Sequence, residues 1–331
     1  MKFLRTLLSC ALLVGASGMA SAADAASGGS FNVLVFSKTN GFRHKDAIAA
    51  GVPFFQKMGE LLNFSVDASE DASVFTDERL RKYQAIVLLN TTGEFTADKC
   101  GKSIPAEEKK KLVEDSLARQ EAFRKWVENG GAIVGLHSAT DCFHEGTSSI
   151  GAKRWPEFQK IIGGAFASHP HHQICDIEIV DAENPSVKAL ANKVVSAEEA
   201  GKLLGKASTV TRNDKGLVWR PAKNEEWYFF KYLQRDNHVI LNVDDSTVKR
   251  RGKNSYDEVV DGKPVACPTH PFAWTREYGK GKIFYTARGH YGYAFAEPEY
   301  ALHVLTGLFM VVGKPLPNID ITAQVSKSRS R

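Results

Sequence analysis

The 331-residue chain has no long hydrophobic run after its first 22 residues. No later stretch approaches the roughly 20 apolar residues of a membrane span, so no membrane partner is expected. Cysteine is scarce: there are five, and no two stand in a C-x-x-C pair. That spacing is what a thioredoxin-type redox motif or a zinc ribbon requires. H-E-x-x-H and H-x-x-x-H are also missing, which removes the helix-borne zinc motifs. No G-x-S-x-G surrounds Ser138, so the nucleophile elbow of a serine hydrolase is not written here. Neither an internal repeat nor a Pro- or Ser-rich linker interrupts the chain, and a single domain is expected. Charge is nearly balanced, at 43 Lys+Arg against 38 Asp+Glu. The net +5 becomes +3 when Lys2 and Arg5 are removed, and part of the rest lies in Lys327–Arg331. With no basic stripe interleaved with aromatics, no nucleic-acid partner is expected.

Residues 1–22 read as an export signal. Lys2 and Arg5 supply the positive start, Leu7–Val14 the apolar stretch and Ala20-Ser-Ala22 the cleavage site. Cys10 is not a lipoprotein cysteine, because most of the apolar run follows it. The expected mature chain begins at Ala23 and is exported, to the periplasm of a Gram-negative cell. It keeps Cys100, Cys142, Cys175 and Cys267. An even number in an oxidising compartment permits disulfides, and four cysteines allow three connectivities. Cys100 with Cys142 is the expected pair, since both follow the ends of neighbouring predicted strands. Residues 318–331 read as a disordered basic tail.

The apolar runs Phe31–Phe36, Phe64–Ala68, Ala85–Asn90 and Ala132–Leu136 read as strands. Between them lie predicted helices over Lys45–Leu62, around Leu80 after the cap Thr76, and over Glu107–Glu128. Pro53 should start or kink the first of these. Alternating strands and helices imply an α/β fold with a mostly parallel sheet and helices on both faces. Later strands are expected at Gln173–Val180, Trp227–Tyr232, Val239–Val243 and Lys282–Thr286, with a closing helix over Glu299–Val312. This second half is expected to be irregular and to pack over the strand ends. The long polar stretch from Thr247 to His270 reads as a functional or mobile loop.

Three buried-strand patterns run into loops that carry a histidine: His44, His137 and His290. In open α/β sheets, ligands bind at the carboxyl ends of the strands. His137 sits where a strand turns sharply into a helix, with Ser138 next. Imidazole there suits a base or a metal ligand. In Ser168-His-Pro-His-His172, Pro170 forces an extended path. His169 is the expected ring to face the crevice. Glu94, after Thr91-Thr92-Gly93, is a candidate acid, base or sugar ligand, or a turn residue. Asn242-Val-Asp244-Asp245 has the same ambiguity. Glu226 and Tyr228 could pair a carboxylate with an aromatic platform. Trp274 opens a hairpin closed at Gly279-Lys-Gly281, which delivers Arg288, His290 and Tyr291 to one loop. Gly289 and Gly292 leave room for a ligand beside His290. A Ser138–His–Asp141 triad and Cys142 as a nucleophile are the weaker readings.

Taken together these segments resemble the ThuA-like family, named for trehalose utilisation. The matching residues are Gly41-Phe-Arg-His44, Leu89–Glu94, Gly130–Asp141, Phe166–Pro170, Glu226-Trp-Tyr228, and Ala273–Arg276 through Gly289-His-Tyr291. They span roughly residues 31 to 313. The resemblance implies a flavodoxin-like, class I glutamine amidotransferase-like α/β fold over residues 23–317. It also implies a place in glycoside and trehalose catabolism, through 3-keto-sugars made by a partner sugar oxidoreductase. Amidotransferases of this fold carry a cysteine at the elbow. His137 stands there instead, so glutaminase activity is not expected.

The expected function is an exported carbohydrate-active enzyme, a hydrolase or a lyase/isomerase, acting on a disaccharide or its keto form. His44, His137, His169, His290, Asp141 and Glu94 are the candidate catalytic residues. Arg43, Glu226, Tyr228, Asp244, Trp274, Arg288 and Tyr291 are the candidate substrate ligands, with Arg43 and Arg288 placed to polarise a carbonyl. A non-catalytic sugar-binding protein would use the same residues. His44, His137 and His290 also form a candidate site for a zinc-like divalent ion, with Asp141 or Glu94 holding a ring nitrogen. Metal-free acid–base histidines would account for the same three residues.

Overall fold

The computed structural model describes residues 30–98, 104–144, 154–249, 257–260, 263–266, 269–318, 320, 321 and 323–325. Residues 1–29 (with the expected export signal), Cys100, Cys267 and the tail from residue 326 lie outside them. Among the described residues, no helix is long and apolar enough to cross a membrane.

In the first half, β1 (Asn32–Phe36), β2 (Ser65–Ser69), β3 (Ala85–Leu89) and β4 (Ala132–Leu136) alternate with α1 (Lys45–Leu62), α2 (Asp77–Leu80) and α3 (Ala106–Glu128). All five residues of β3 and of β4 are buried, as strands covered on both faces must be. Helix α1 buries Ala47, Ile48, Phe54, Phe55, Met58 and Leu62, the stripe its spacing predicts. Asn63, at φ 60°, ends it in a left-handed cap. Pro53 neither starts nor breaks α1 but lies inside it. It stands on the exposed face, as does Ala49 one turn earlier, whose carbonyl loses its helical partner to Pro53. Thr76 caps α2 as expected, its hydroxyl accepting from the Arg79 N–H.

The second half adds α4 (Pro156–Ile162), β5 (Ala165–Ser168), β6 (Ile177–Ile179), α5 (Pro185–Ala191), α6 (Ala197–Leu203), β7 (Thr209–Asn213), β8 (Gly216–Arg220), β9 (Phe229–Lys231) and β10 (His238–Val243). β11 (Asp257–Val260), β12 (Lys263–Ala266), β13 (Pro271–Tyr278), β14 (Gly281–Thr286) and α7 (Pro298–Val312) complete it. Ten strands form one sheet in the order β2-β1-β3-β4-β14-β13-β10-β6-β8-β7. It is parallel from β2 to β14 and antiparallel from there to β7.

The second half therefore extends the sheet rather than merely covering its edge. The predicted strand Gln173–Val180 shrinks to Ile177–Ile179, and Ala165–Ser168 is a strand the pattern did not suggest. β5 pairs with β9 as a separate antiparallel ribbon. Part of the long polar loop is also a hairpin, β11 with β12. The tail is tied down further than its polar ending suggests. Ile321 and Val325, four apart, are both buried in the core.

Beneath the loops that follow β3 and β4 lies a cluster of phenylalanines. Phe95 packs edge-on against Phe36, Phe123, Phe143 and Phe158. Each fully buried ring contributes about 2–3 kcal/mol. Phe95 and Phe143 belong to those two loops, so the cluster fixes the rim where the polar residues emerge.

Candidate functional site

β1, β3, β4 and β14 run parallel, so their carboxyl ends share one edge of the sheet. His137 is the first residue after β4, at φ 48°, and opens a short 3-10 turn to Thr140. A left-handed histidine is strained, and such strain marks functional positions. Here the strain is held by a lock: the Tyr285 hydroxyl donates to the His137 carbonyl at 2.7 Å and lies 3.0 Å from the Thr140 hydroxyl. His44 occupies the cap position of α1, its Nδ1 3.2 Å from Ser138 Oγ. His290 follows β14 across Gly289, whose φ of 111° favours glycine; a side chain there would collide with the Tyr300 hydroxyl.

These rings converge on Glu226, which precedes β9 and is 5% exposed. Its Oε2 lies 2.8 Å from His290 Nδ1, 3.0 Å from His137 Nε2 and 3.9 Å from His44 Nε2. Its Oε1 lies 3.0 Å from His169 Nε2 and 2.9 Å from His172 Nε2. One carboxylate thus meets five imidazoles. The Tyr228 ring packs on His137 with centroids 4.2 Å apart, forming one wall. Tyr291 hydrogen-bonds His172 Nδ1 at the rim.

Burial works against the charge on Glu226, but hydrogen bonds from His137, His169, His290 and His44 outweigh it and hold the carboxyl far below its usual range. Burial pushes His137 down to about 3, ahead of the opposing pull of Glu226. Burial likewise lowers His44. The bond to Glu226 raises His169, which is more open to solvent. The site therefore pairs neutral inner imidazoles with an ionised carboxylate and a readily protonated outer ring.

Of the expected catalytic residues, the structure brings His44, His137, His169 and His290 together around Glu226. Glu226 was expected to touch substrate and instead sits at the hub. Asp141 is engaged by His144 Nε2 at 2.7 Å. Glu94 is buried on the β3 loop, and its carboxylate is not among the groups around Glu226. The role of orienting a ring nitrogen falls instead to the Ala287 carbonyl, 2.7 Å from His137 Nδ1, and to Ser138.

Several expected substrate ligands are placed elsewhere. Arg43 pairs with Glu70 at 2.6 Å. Asp244 caps the turn at Ser246 and pairs with Lys215. Trp274 is fully buried, donates to the Ile162 carbonyl at 2.9 Å and packs on Tyr285, so it is core. Arg288 is fully buried against Glu297 and Glu225, with Trp219 and Tyr300 beside it, and presents no face to a ligand. Cys142 is a free buried thiol among the described residues, and Cys100, its expected partner, lies outside them. Burial raises its pKa well above the usual value, which also argues against a thiolate nucleophile.

Two residues escaped the sequence reading. His172 stands three positions from His169, and the bend at 171–172 brings both rings to Glu226. The three-residue spacing was visible, but strand alternation hid it. Glu225 is fully buried and accepts the N–H groups of Gly289, His290 and Glu226 at 3.1–3.2 Å. Nothing in an Glu-Glu pair announces which carboxylate ties backbone and which faces the site.

The ThuA family, described as trehalose utilisation, matches residues 32–212 and 214–310. A crystal structure of a ThuA-like protein from Bacteroides uniformis is similar, with a TM-score of 0.55 and 21% identity over 88% of this chain and 95% of that one. A ThuA-like protein from Parabacteroides merdae gives a TM-score of 0.52 and 18% identity over 88% and 92%. No curated protein matches. At these identities the two structures speak for the fold, which is glutamine amidotransferase-like. With most of its length matched, the chain belongs to the ThuA trehalose-utilisation family.

Proposed function

We propose that the protein is an exported carbohydrate-active enzyme that cleaves or rearranges a disaccharide or its 3-keto form by acid–base chemistry at Glu226 and its histidines. The observation that carries this reading is the single buried carboxylate ringed by five imidazoles at the carboxyl ends of the parallel strands. A structural core does not need five titratable rings on one acid. The family description supports the substrate class. Lys2, Arg5, Leu7–Val14 and Ala20-Ser-Ala22 support export.

The chemistry suits a keto-sugar. A carbonyl acidifies the proton on the neighbouring carbon, and a neutral inner imidazole is the base to remove it. When the glycosidic C–O bond breaks, the leaving oxygen takes a proton from an outer ring, His169 being the one whose protonated form Glu226 favours. Tyr228 and Tyr291 supply the aromatic wall and rim for the sugar. The test is turnover of trehalose and 3-keto-trehalose by the purified protein, read by product NMR, beside His137→Ala and Glu226→Gln. Turnover that both variants abolish supports the reading. Binding without turnover overturns it in favour of a sugar-binding protein.

A further inference from the structure

The inner histidines and Glu226 bring four potential donor atoms within 4.8 Å of one another. The Ala287 carbonyl, 2.7 Å from His137 Nδ1, can only accept, so Nδ1 carries the proton. With Nδ1 so engaged, His137 presents Nε2 to Glu226 Oε2, 3.0 Å away, and to His290 Nδ1, 3.1 Å away. His290 Nδ1 and Glu226 Oε2 are themselves 2.8 Å apart. His137 Nε2, His290 Nδ1 and Glu226 Oε2 thus form a triangle with edges of 2.8, 3.0 and 3.1 Å. Ligands bound at roughly 2.0–2.1 Å to one ion stand about 2.9–3.4 Å apart, so this triangle has the dimensions of a coordination face. His44 Nε2 lies 3.9 Å from the same carboxylate oxygen, and the four donor atoms all fall within 4.8 Å of one another. A ring nitrogen that donates to a backbone carbonyl while its partner nitrogen faces a carboxylate is the arrangement that fixes a ligating tautomer.

We propose that His44 Nε2, His137 Nε2, His290 Nδ1 and a Glu226 carboxylate oxygen bind one divalent ion of the zinc class. Three imidazoles and one carboxylate favour Zn²⁺ and its borderline neighbours over Mg²⁺ or Ca²⁺, which take oxygen ligands. Four segments supply the donors: the α1 cap, the locked elbow, the residue before β9 and the loop after β14, the last two tied together by Glu225. His169 and His172 face the other carboxylate oxygen and stay outside the inner set. The site stands on donor geometry; because an ion there would engage the ring nitrogens that the sugar reading uses as base, ion binding and sugar turnover are read in separate experiments.

The test is titration of chelator-treated full-length protein with Zn²⁺, Mg²⁺ and Co²⁺, by calorimetry and by the visible spectrum of the Co²⁺ form. About one Zn²⁺ should bind per chain, Mg²⁺ should not compete, and Co²⁺ should give the intense bands of a low-coordinate nitrogen-rich site. His290→Ala and Glu226→Gln should each weaken Zn²⁺ by about 100-fold or more, whereas His169→Ala should change it by less than about fivefold. Circular dichroism confirms that each variant is folded. His290→Ala, from the least buried inner ligand, keeps the test informative if a deeper variant fails to fold. Failure of folded wild-type protein to take up Zn²⁺, or equal binding by His290→Ala, overturns the proposal. Neither result bears on whether the protein turns over a sugar.

Discussion

Glu225 accepts from the backbone N–H groups of Gly289, His290 and Glu226 and faces Arg288, whereas the carboxylate of Glu226 is ringed by side-chain imidazoles. Burial pushes the Glu225 carboxyl up, against the pull of Arg288, while the surrounding histidines overturn the same effect at Glu226 and hold it down. Two adjacent carboxylates thus divide the labour. One ties the loop after β14 to the chain entering β9. The other presents its charge to the rings which that tie has brought together. A pair of acids is best assigned by what donates to each, since their burial is nearly the same.

The sharpest way to test that division is to replace each acid by its amide. Glu226→Gln keeps the shape and removes the charge that orients five rings. Sugar turnover should fall about 10²–10⁴-fold, while the urea midpoint moves little. Glu225→Gln should do the reverse. It leaves Arg288 without one of its two carboxylates in a fully buried setting. Removing one partner of a buried ion pair costs about 3–5 kcal/mol, which urea denaturation will read directly. Activity per folded Glu225→Gln molecule should drop less than in Glu226→Gln. Equal losses of activity at equal stability would erase the distinction.

The sequence made one half of this arrangement legible and hid the other. β1, β3, β4 and β14 are continuous apolar runs, and each loop that follows them begins near the end of its run. His44, His137 and His290 could therefore be placed on one edge before any coordinates. Glu226 lies ahead of the three-residue strand β9 in a stretch of mixed aromatics, where no period fixes its direction. Trp274 and Arg288 were misread for a related reason. A tryptophan and an arginine beside a glycine-rich turn look like ligands, yet the antiparallel half of the sheet buries both. Composition shows that a residue can bind something; only the packing of β13 and α7 shows that these two have their partners inside the fold.

A histidine outside the centre offers a control for pH. His303, on α7, is fully buried beside Trp219 and Phe284, and its Nδ1–H donates to the Ser186 carbonyl. No carboxylate compensates it. Burial, then the backbone contact and the charge of Arg288, leave it at about 4 against an ordinary 6.5. The sign follows from linkage. The unfolded ring takes a proton below 6.5 and the folded ring does not until about 4, so stability is full above 6.5 and lost as the pH falls through that window. The loss is roughly 3 kcal/mol at its limit. Urea unfolding at pH 7.5 and pH 5 should show the difference in wild type, and His303→Leu should show a smaller one. An unchanged acid slope in His303→Leu would move the responsibility to the imidazoles around Glu226.

The smallest expected effect separates the two oxygens of Glu226. On the inner side, His137 and His44 are buried and neutral; on the outer side, His169 and His172 are partly open to solvent. His172 is held by Tyr291, whose hydroxyl donates to Nδ1 and so leaves Nε2–H to donate to Glu226 Oε1. Tyr291→Phe removes that one donor and no part of the inner set. A hydrogen bond of this kind is worth about 0.5–1.5 kcal/mol, or about 2- to 10-fold. If His172 positions substrate while His169 and the inner rings move protons, the whole of this should fall on KM, with kcat within about twofold and Zn²⁺ affinity unchanged. Steady-state kinetics on the keto-sugar, beside a Zn²⁺ titration, reads both quantities. A loss confined to kcat would mean that His172 takes part in proton transfer beside His169.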